Sequence, residues 1–344
     1  MTDWLKRNQQ WFSFTLGLML ALFAWAFNPF SLEPGACKAV AMAILMVAWW
    51  VTEALPMPAV ALVPLVLLPL LGISSIEEAS KSYSNPVIFL FMGGFMIGLA
   101  IEKWNLHKRI ALQIVRRTGT SGNRIILGFI IATGFLSMWL SNTATTMMMF
   151  PIALSVIAVM KEHEKPGPGL VNFSLVLMLV IAYASNIGGM ATPIGTPPNV
   201  AFLAYIEKKY GYTVQFLDWM ILNAPLALCL LAALYLVLTR WMFPNRIKSS
   251  EETHLMIQRE VIALGRLSKA EKRVLIVFIS TALLWITKDL IVKAGFKFLD
   301  DTMIAIIGAL ALFAIPSGMK EEGKPRMLLA WDDTSKMAWG ILLL

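Results

Sequence analysis

Long apolar runs with almost no charge inside them limit what this chain can fold into more than any other feature. They cover residues 11–27, 36–52, 57–71, 87–101, 171–187, 216–238, 274–286 and 303–315. Two shorter arms, 125–140 and 144–160, flank Ser141-Asn142-Thr143. A bilayer core needs about 20 apolar residues per helical crossing, and these runs approach that length. Of 344 residues, 58% are apolar and 15% are charged, against about 25% charged in a soluble domain. The expected fold class is an all-α polytopic membrane protein.

The charges that remain lie between the runs. The net charge of +8 therefore reads as topology, and no nucleic-acid partner is expected. Lys6 and Arg7 put the N-terminus in the cytoplasm under the positive-inside rule. Counting crossings brings Lys103, Lys108, Arg109, Arg116, Arg117 and Arg124 to the same side, and then the cluster from Arg246 to Arg273. The count is the same whether the arms around Asn142 cross fully or dip in and return. Cys37 and Cys229 are far apart and support neither a disulfide framework nor a metal spacing. His107, His163 and His254 fall in polar connections without a zinc-type pairing. No small-residue cleavage site follows the first run, so it reads as a retained span. Trp49 and Trp50 read as interfacial anchors, and Gly93, Gly94 and Gly98 as places where helices approach closely.

No apolar run carries an ionisable residue near its centre; Glu53, Glu102, Lys288 and Asp289 sit at run ends. A proton relay through side chains thus has little to work with. Two polar clusters do lie at membrane depth. The first runs from Ser137 through Ser141, Asn142 and Thr143 to Thr145 and Thr146. Single hydroxyls there are ordinarily bonded back to their own helix, but an Asn at depth needs partners for its whole amide. The second runs from Ser185 and Asn186 through Gly188, Gly189, Thr192, Pro193, Gly195, Thr196, Pro197 and Pro198 to Asn199. Its glycines and prolines cannot continue a helix. An ordinary extramembrane loop is the competing reading, although the stretch is uncharged and lies within a span. Unwound backbone is tolerated in a membrane where it is buried in protein or lines a water-filled cavity. There its carbonyl oxygens suit a hard cation such as sodium, and its N–H groups and helix N-termini suit a carboxylate.

These residues resemble a known family. Trp49-Trp50-Val-Thr-Glu53-Ala-Leu-Pro56, Gly93-Gly94-Phe, Glu102-Lys-Trp-Asn-Leu-His107, Ser137-Met-Trp-Leu-Ser141-Asn142-Thr143-Ala-Thr-Thr-Met-Met and Gly188-Gly189-x-Ala-Thr192-Pro-x-Gly195-Thr196-Pro-Pro-Asn199 are similar to motifs of the divalent-anion/sodium symporters. That family includes sodium-coupled dicarboxylate, citrate and sulfate carriers. The resemblance implies an inverted-repeat secondary transporter with a re-entrant hairpin and a broken helix, working as a homodimer in the cell membrane. It implies sodium ligation by Ser137, Ser141, Asn142 and Gly195, and substrate contacts from Asn142, Thr143 and Thr196. Sodium would be the coupling ion, with no other cofactor.

On this reading residues 1–124 are scaffold helices and 125–240 a first-half transport domain. Residues 241–273 are a cytoplasmic connection, and 274–344 begin a second-half scaffold. A second Ser-Asn-Thr motif is expected from the family but does not occur here. The run 338–344 begins a span and stops, so an incomplete second repeat is expected. The shortfall is on the order of 120 residues, the separation of Ile88 from about Glu207. The expected function is sodium-coupled transport of four-carbon dicarboxylates such as succinate, malate or fumarate. Citrate, sulfate or exchange are alternatives, as is a fragment that does not transport alone. An intramembrane enzyme using Ser141 or Ser185 would need an activating base, and no His, Lys, Asp or Glu lies at that depth, so no enzyme is expected.

Overall fold

In a bilayer every backbone N–H and C=O must find a partner within the protein, and a helix provides this within a single segment. The apolar runs accordingly wind into helices. A computed structural model describes residues 2–163, 167–245, 247, 251–296, 298–321, 324–337 and 339–343. Its helices are α1 (Thr2–Phe27), α2 (Pro34–Val51), α3 (Met57–Ala61), α4 (Val63–Leu70), α5 (Ile76–Lys81), α6 (Pro86–Lys103), α7 (Leu106–Thr118), α8 (Gly122–Ser137), α9 (Asn142–His163) and α10 (Pro168–Gly189). They continue as α11 (Pro197–Tyr210), α12 (Phe216–Leu236), α13 (Glu251–Ala263), α14 (Lys269–Lys293) and α15 (Asp301–Ala314). The antiparallel strands β1 (Pro316–Glu321) and β2 (Lys324–Met327) follow, and then α16 (Trp339–Leu343). Among the described residues, 7 helical segments are long and apolar enough to cross a membrane. The chain is an all-α polytopic membrane protein with one small sheet.

The elements differ from the sequence expectation in two places. The 57–71 run is two short helices, because the Pro64 ring cannot accept a helix passing through it from Leu62. The arms around Ser141 are unequal. α8 has 16 residues, about 24 Å of rise and short of a ~30 Å hydrocarbon core. α9 has 22 residues, since Lys161, Glu162 and His163 prolong it past the apolar stretch. Residues 316–321 and 324–327, for which no element is expected from the sequence, pair as antiparallel strands, with Gly318 at φ +89°, a conformation that suits glycine. Arg246 and Leu344, which bounded two sequence readings, lie outside the described residues, as does the His163 side chain.

The chain forms two compact units, one built on α1 to α5 with α16, the other running from Phe89 to Met337. In the first, α1 and α2 pack along their length around Trp49. Its ring stacks on Phe14 at 4.6 Å, its indole N–H donates to the Phe14 carbonyl at 3.0 Å, and Gly17 leaves room for it. Trp49 is only 6% exposed, while Trp50 is 47% exposed. Reading Trp49 as an interfacial anchor is therefore corrected: adjacent residues on a helix point about 100° apart, and only one of the pair faces outward.

In the second unit α8 and α10 approach at Gly134 and Gly188, where a Cβ on Gly188 would collide with the Gly134 backbone. The α6 glycines behave as expected. Gly93 abuts Ala305 of α15, Gly94 abuts Ile194, and Gly98 abuts Leu140. Polar fasteners tie the connecting helices together. Arg109 of α7 donates to Glu271 of α14 at 2.7 Å and to the Leu264 and Gly265 carbonyls after α13 at 2.9 and 3.0 Å. Glu271 in turn completes a capping box with Ser268.

His107 does not sit in a solvated connection. It is buried on α7, with Nδ1 3.2 Å from the Ile101 carbonyl. Burial holds its pKa below the ordinary imidazole value, against the opposing effects of the Ile101 carbonyl and Glu102. Its folded-state pKa lies below that of the unfolded chain, so the folded state resists protonation and stability falls as pH drops below about 6.5. Thermal unfolding in detergent should show a midpoint that declines between neutral and mildly acidic pH. His107→Gln should flatten that decline, and an unchanged slope would contradict this account.

Candidate functional site

Two helices stop and two begin within the same small region. α8 ends at Ser137 and α9 starts at Asn142; α10 ends at Gly189 and α11 starts at Pro197. The turn 138–141 is closed by Trp139 N donating to the Leu136 carbonyl at 3.0 Å. The stretch 190–196 cannot be helical, because Pro193 and the Pro197-Pro198 pair lack N–H donors. Three side chains hold it in place. Thr192 donates to the Met138 carbonyl in the facing turn. Asn199, buried, donates to the Gly189 and Thr192 carbonyls at 2.9 and 2.8 Å. Trp219 of α12 donates to the Met190 carbonyl at 2.9 Å. Backbone groups that the break leaves free are thus paired again within the protein.

Asn142 stands between the two interruptions. Its Oδ1 accepts from Ser137 Oγ at 2.7 Å. Its Nδ2 donates to Asn186 Oδ1 at 3.0 Å and reaches Thr196 Oγ1 at 3.5 Å. The carbonyl side of this amide faces Gly189, where an added Cβ would meet Asn142 Oδ1. Gly195 is hemmed in likewise: a Cβ there would strike the Gly189 carbonyl oxygen and lie 2.9 Å from the Ser137 carbonyl oxygen. Oxygen atoms from the C-terminal ends of α8 and α10 therefore crowd one side of Asn142. The NH₂ side of Asn142, itself the first residue of α9, faces Asn186 in the last turn of α10 and Thr196, the N-cap residue of α11. Helix dipoles put partial negative charge at the ends of α8 and α10 and partial positive charge at the starts of α9 and α11.

Of the residues expected from sequence, the structure brings together Ser137, Asn142, Thr196 and Gly195. Ser141 is adjacent but otherwise engaged, its Oγ accepting from Ala144 N at 3.2 Å as a helix cap. Thr143 is exposed in the first turn of α9. Asn186 was part of the second polar cluster but had no assigned role. It is exposed, its Oδ1 takes the Asn142 amide, and its own Nδ2 donates to the Ala182 carbonyl at 2.9 Å. Spacing could not have found this pair, which is separated by a span; the signal available was a carboxamide at depth in each cluster. Ser185 bonds Thr146 Oγ1 at 2.9 Å and the Ala182 carbonyl at 2.9 Å. Among the described residues, no group of three or more His, Cys, Asp or Glu could hold a metal ion.

The sequence model for the sodium:sulfate symporter transmembrane region matches residues 8–344. The chain belongs to this symporter family. It is 38% identical over 332 residues to the sodium-dependent dicarboxylate transporter SdcS of Staphylococcus saprophyticus, covering 95% of this chain and 64% of that relative. The proteins of the same name from Staphylococcus aureus strains USA300 and RF122 are each 37% identical over the same spans. The chain thus spans 64% of the length of these curated relatives. Family membership sets aside the serine-enzyme alternative.

The pinning role of Asn199 is open to test. Asn199→Leu leaves the Gly189 carbonyl without its side-chain donor in a buried setting, which costs roughly 1–3 kcal/mol. The purified variant should unfold at a lower temperature than wild type, and Asn199→Gln should also be destabilised because its amide is one methylene out of place. Wild-type stability in both would show that the stretch holds itself in place.

Proposed function

We propose that this chain forms the sodium- and substrate-binding first half of a sodium-coupled carrier for four-carbon dicarboxylates. One observation carries the proposal: the single amide of Asn142 points its oxygen at Ser137 Oγ and its NH₂ at Asn186 and Thr196. A sodium ion would displace the Ser137 hydroxyl proton from Asn142 Oδ1. It would be ligated by Ser137 and Asn142, with Ser141 and the backbone around Gly195 completing the set. A substrate carboxylate would lie on the other face, receiving hydrogen bonds from Asn142 Nδ2, Thr196 and Thr143, with Asn186 added to that group. One residue then contacts both ligands, so each would favour the other's binding.

The relatives' identity as sodium-dependent dicarboxylate transporters supports dicarboxylate as the anion class. Sulfate is the second reading, favoured by the description of the matching family, and exchange rather than symport would use the same contacts. The shortness of α8 supports a re-entrant hairpin, with the N-terminus cytoplasmic and the hairpin entering from that side. The division into scaffold helices 1–124, transport domain 125–240, connection 241–273 and second scaffold segment 274–344 follows from this reading. An inverted repeat and a homodimer belong to it as well, and sodium serves as coupling ion with no further cofactor.

Asn142→Asp tests the site. It keeps the size and an oxygen ligand but replaces the donor with a negative charge. Two carboxylates would then face each other where water is scarce. Measured on purified protein, sodium binding should persist or tighten while succinate binding falls by at least about tenfold, roughly 1.4 kcal/mol. Excess sulfate should compete weakly with succinate for the wild type. A folded variant that binds succinate like wild type would remove Asn142 from the anion site. Equal loss of both ligands would assign it a purely structural role.

A further inference from the structure

We propose that Trp139 is a positioning residue for the cation half of this site, acting through an aromatic slot built on α12 and α14. The inference rests on the sodium-coupled reading above and deepens it. Trp139 lies in the turn between Ser137 and Ser141, the two serines whose spacing the cation would sense. Its ring is nearly parallel to Phe216 of α12 (6.4 Å, 20°) and Trp285 of α14 (6.5 Å, 12°). It meets Phe278 of α14 edge-on at 5.0 Å and 86°. Phe216 and Trp285 stack on each other at 4.3 Å and 8°, so the slot has one firm wall and one edge.

That wall is anchored by polar bonds. Asp301 at the start of α15 accepts from Phe216 N at 2.8 Å through Oδ2 and pairs with Lys288 Nζ at 3.0 Å through Oδ1. Its backbone carbonyl accepts from Trp285 Nε1 at 3.0 Å. Groups on α12, α14 and α15 therefore fix the slot. The turn is also pressed from α6. A Cβ at Gly98 would lie 3.0 Å from Leu140 Cδ2 and 3.3 Å from the Trp139 carbonyl oxygen.

The chemistry of the ring identifies what it does. Trp139 Nε1 is buried without a hydrogen-bond partner, so the indole is held by its faces and edge and not by its N–H. A flat ring of smaller size should therefore serve, whereas an aliphatic or truncated side chain should not. Removing the ring would free the turn between Ser137 and Ser141 and loosen the oxygen cage, while leaving the anion contacts on the N-terminal side of Asn142 intact. Supporting groups of this kind typically change metal-ion affinity by about 10–100-fold.

The test is sodium activation of succinate uptake by the full-length protein in sealed vesicles, comparing wild type, Trp139→Phe, Trp139→Ala and Phe278→Ala. Trp139→Ala should raise the sodium concentration for half-maximal uptake about tenfold, with the succinate KM at saturating sodium within about twofold of wild type. Trp139→Phe should restore most of the sodium affinity. Phe278→Ala removes the edge contact of the slot while leaving every residue of the turn in place; it should reproduce part of the shift, and it carries the test if Trp139→Ala fails to fold. A wild-type sodium curve in Trp139→Ala, or in Phe278→Ala where the former is unfolded, would overturn the proposal and leave the coupling reading intact. So would a Trp139→Phe variant no better than Trp139→Ala. Sodium-independent uptake by the wild type would overturn both.

Discussion

A helix interrupted inside a membrane must repair its own backbone, and this requirement shapes the centre of the protein. Here the first break receives a partner from the second, and the second is closed by Asn199 and Trp219. Thr192 of the second break bonds the Met138 carbonyl of the first, and Asn142 of the first bonds Asn186 and Thr196 of the second. The ends of α8 and α10 present carbonyl oxygens, while the starts of α9 and α11 present the positive ends of helix dipoles. A site for a cation and an anion side by side needs no buried formal charge when the backbone supplies the field.

Glycine makes that convergence sterically possible. Gly188 seats against the Gly134 backbone, Gly189 against Asn142 Oδ1, and Gly195 against the Gly189 and Ser137 carbonyls. A side chain at any of these would separate the chain segments that must meet. Around this centre the protein uses stronger fasteners. The Arg109–Glu271 pair ties the connecting helices to α14, and the Lys288–Asp301 pair ties α14 to α15. The aromatic slot then transmits that firmness to the turn at Trp139.

Much of this was legible in the sequence because chemistry out of place is conspicuous. Asn142 in an otherwise apolar region, and Gly188 to Asn199 inside a span, announced the two interruptions. What escaped were relations across sequence distance. Asn186 gains its place only because α10 lies against the hairpin. Trp139 looked like one aromatic among many until Phe216, Phe278 and Trp285 were seen around it. Trp49 and His107 were misplaced for one reason: a local polar or interfacial context says nothing about which face of the helix is packed. The strand pair β1–β2 has a register irregularity where Gly318 sits at positive φ, a backbone conformation that composition does not reveal.

The central proposal is that Ser137, Ser141, Asn142 and the backbone around Gly195 bind sodium. Equilibrium binding of radioactive sodium to purified protein tests it most directly, with wild type set against Gly195→Ala. The added methyl would have to occupy the place where the Gly189 carbonyl comes closest. Saturable sodium binding should be present in the wild type and lost or weakened more than about tenfold in a folded Gly195→Ala, a change of at least ~1.4 kcal/mol. Undiminished sodium binding by that folded variant would contradict the account.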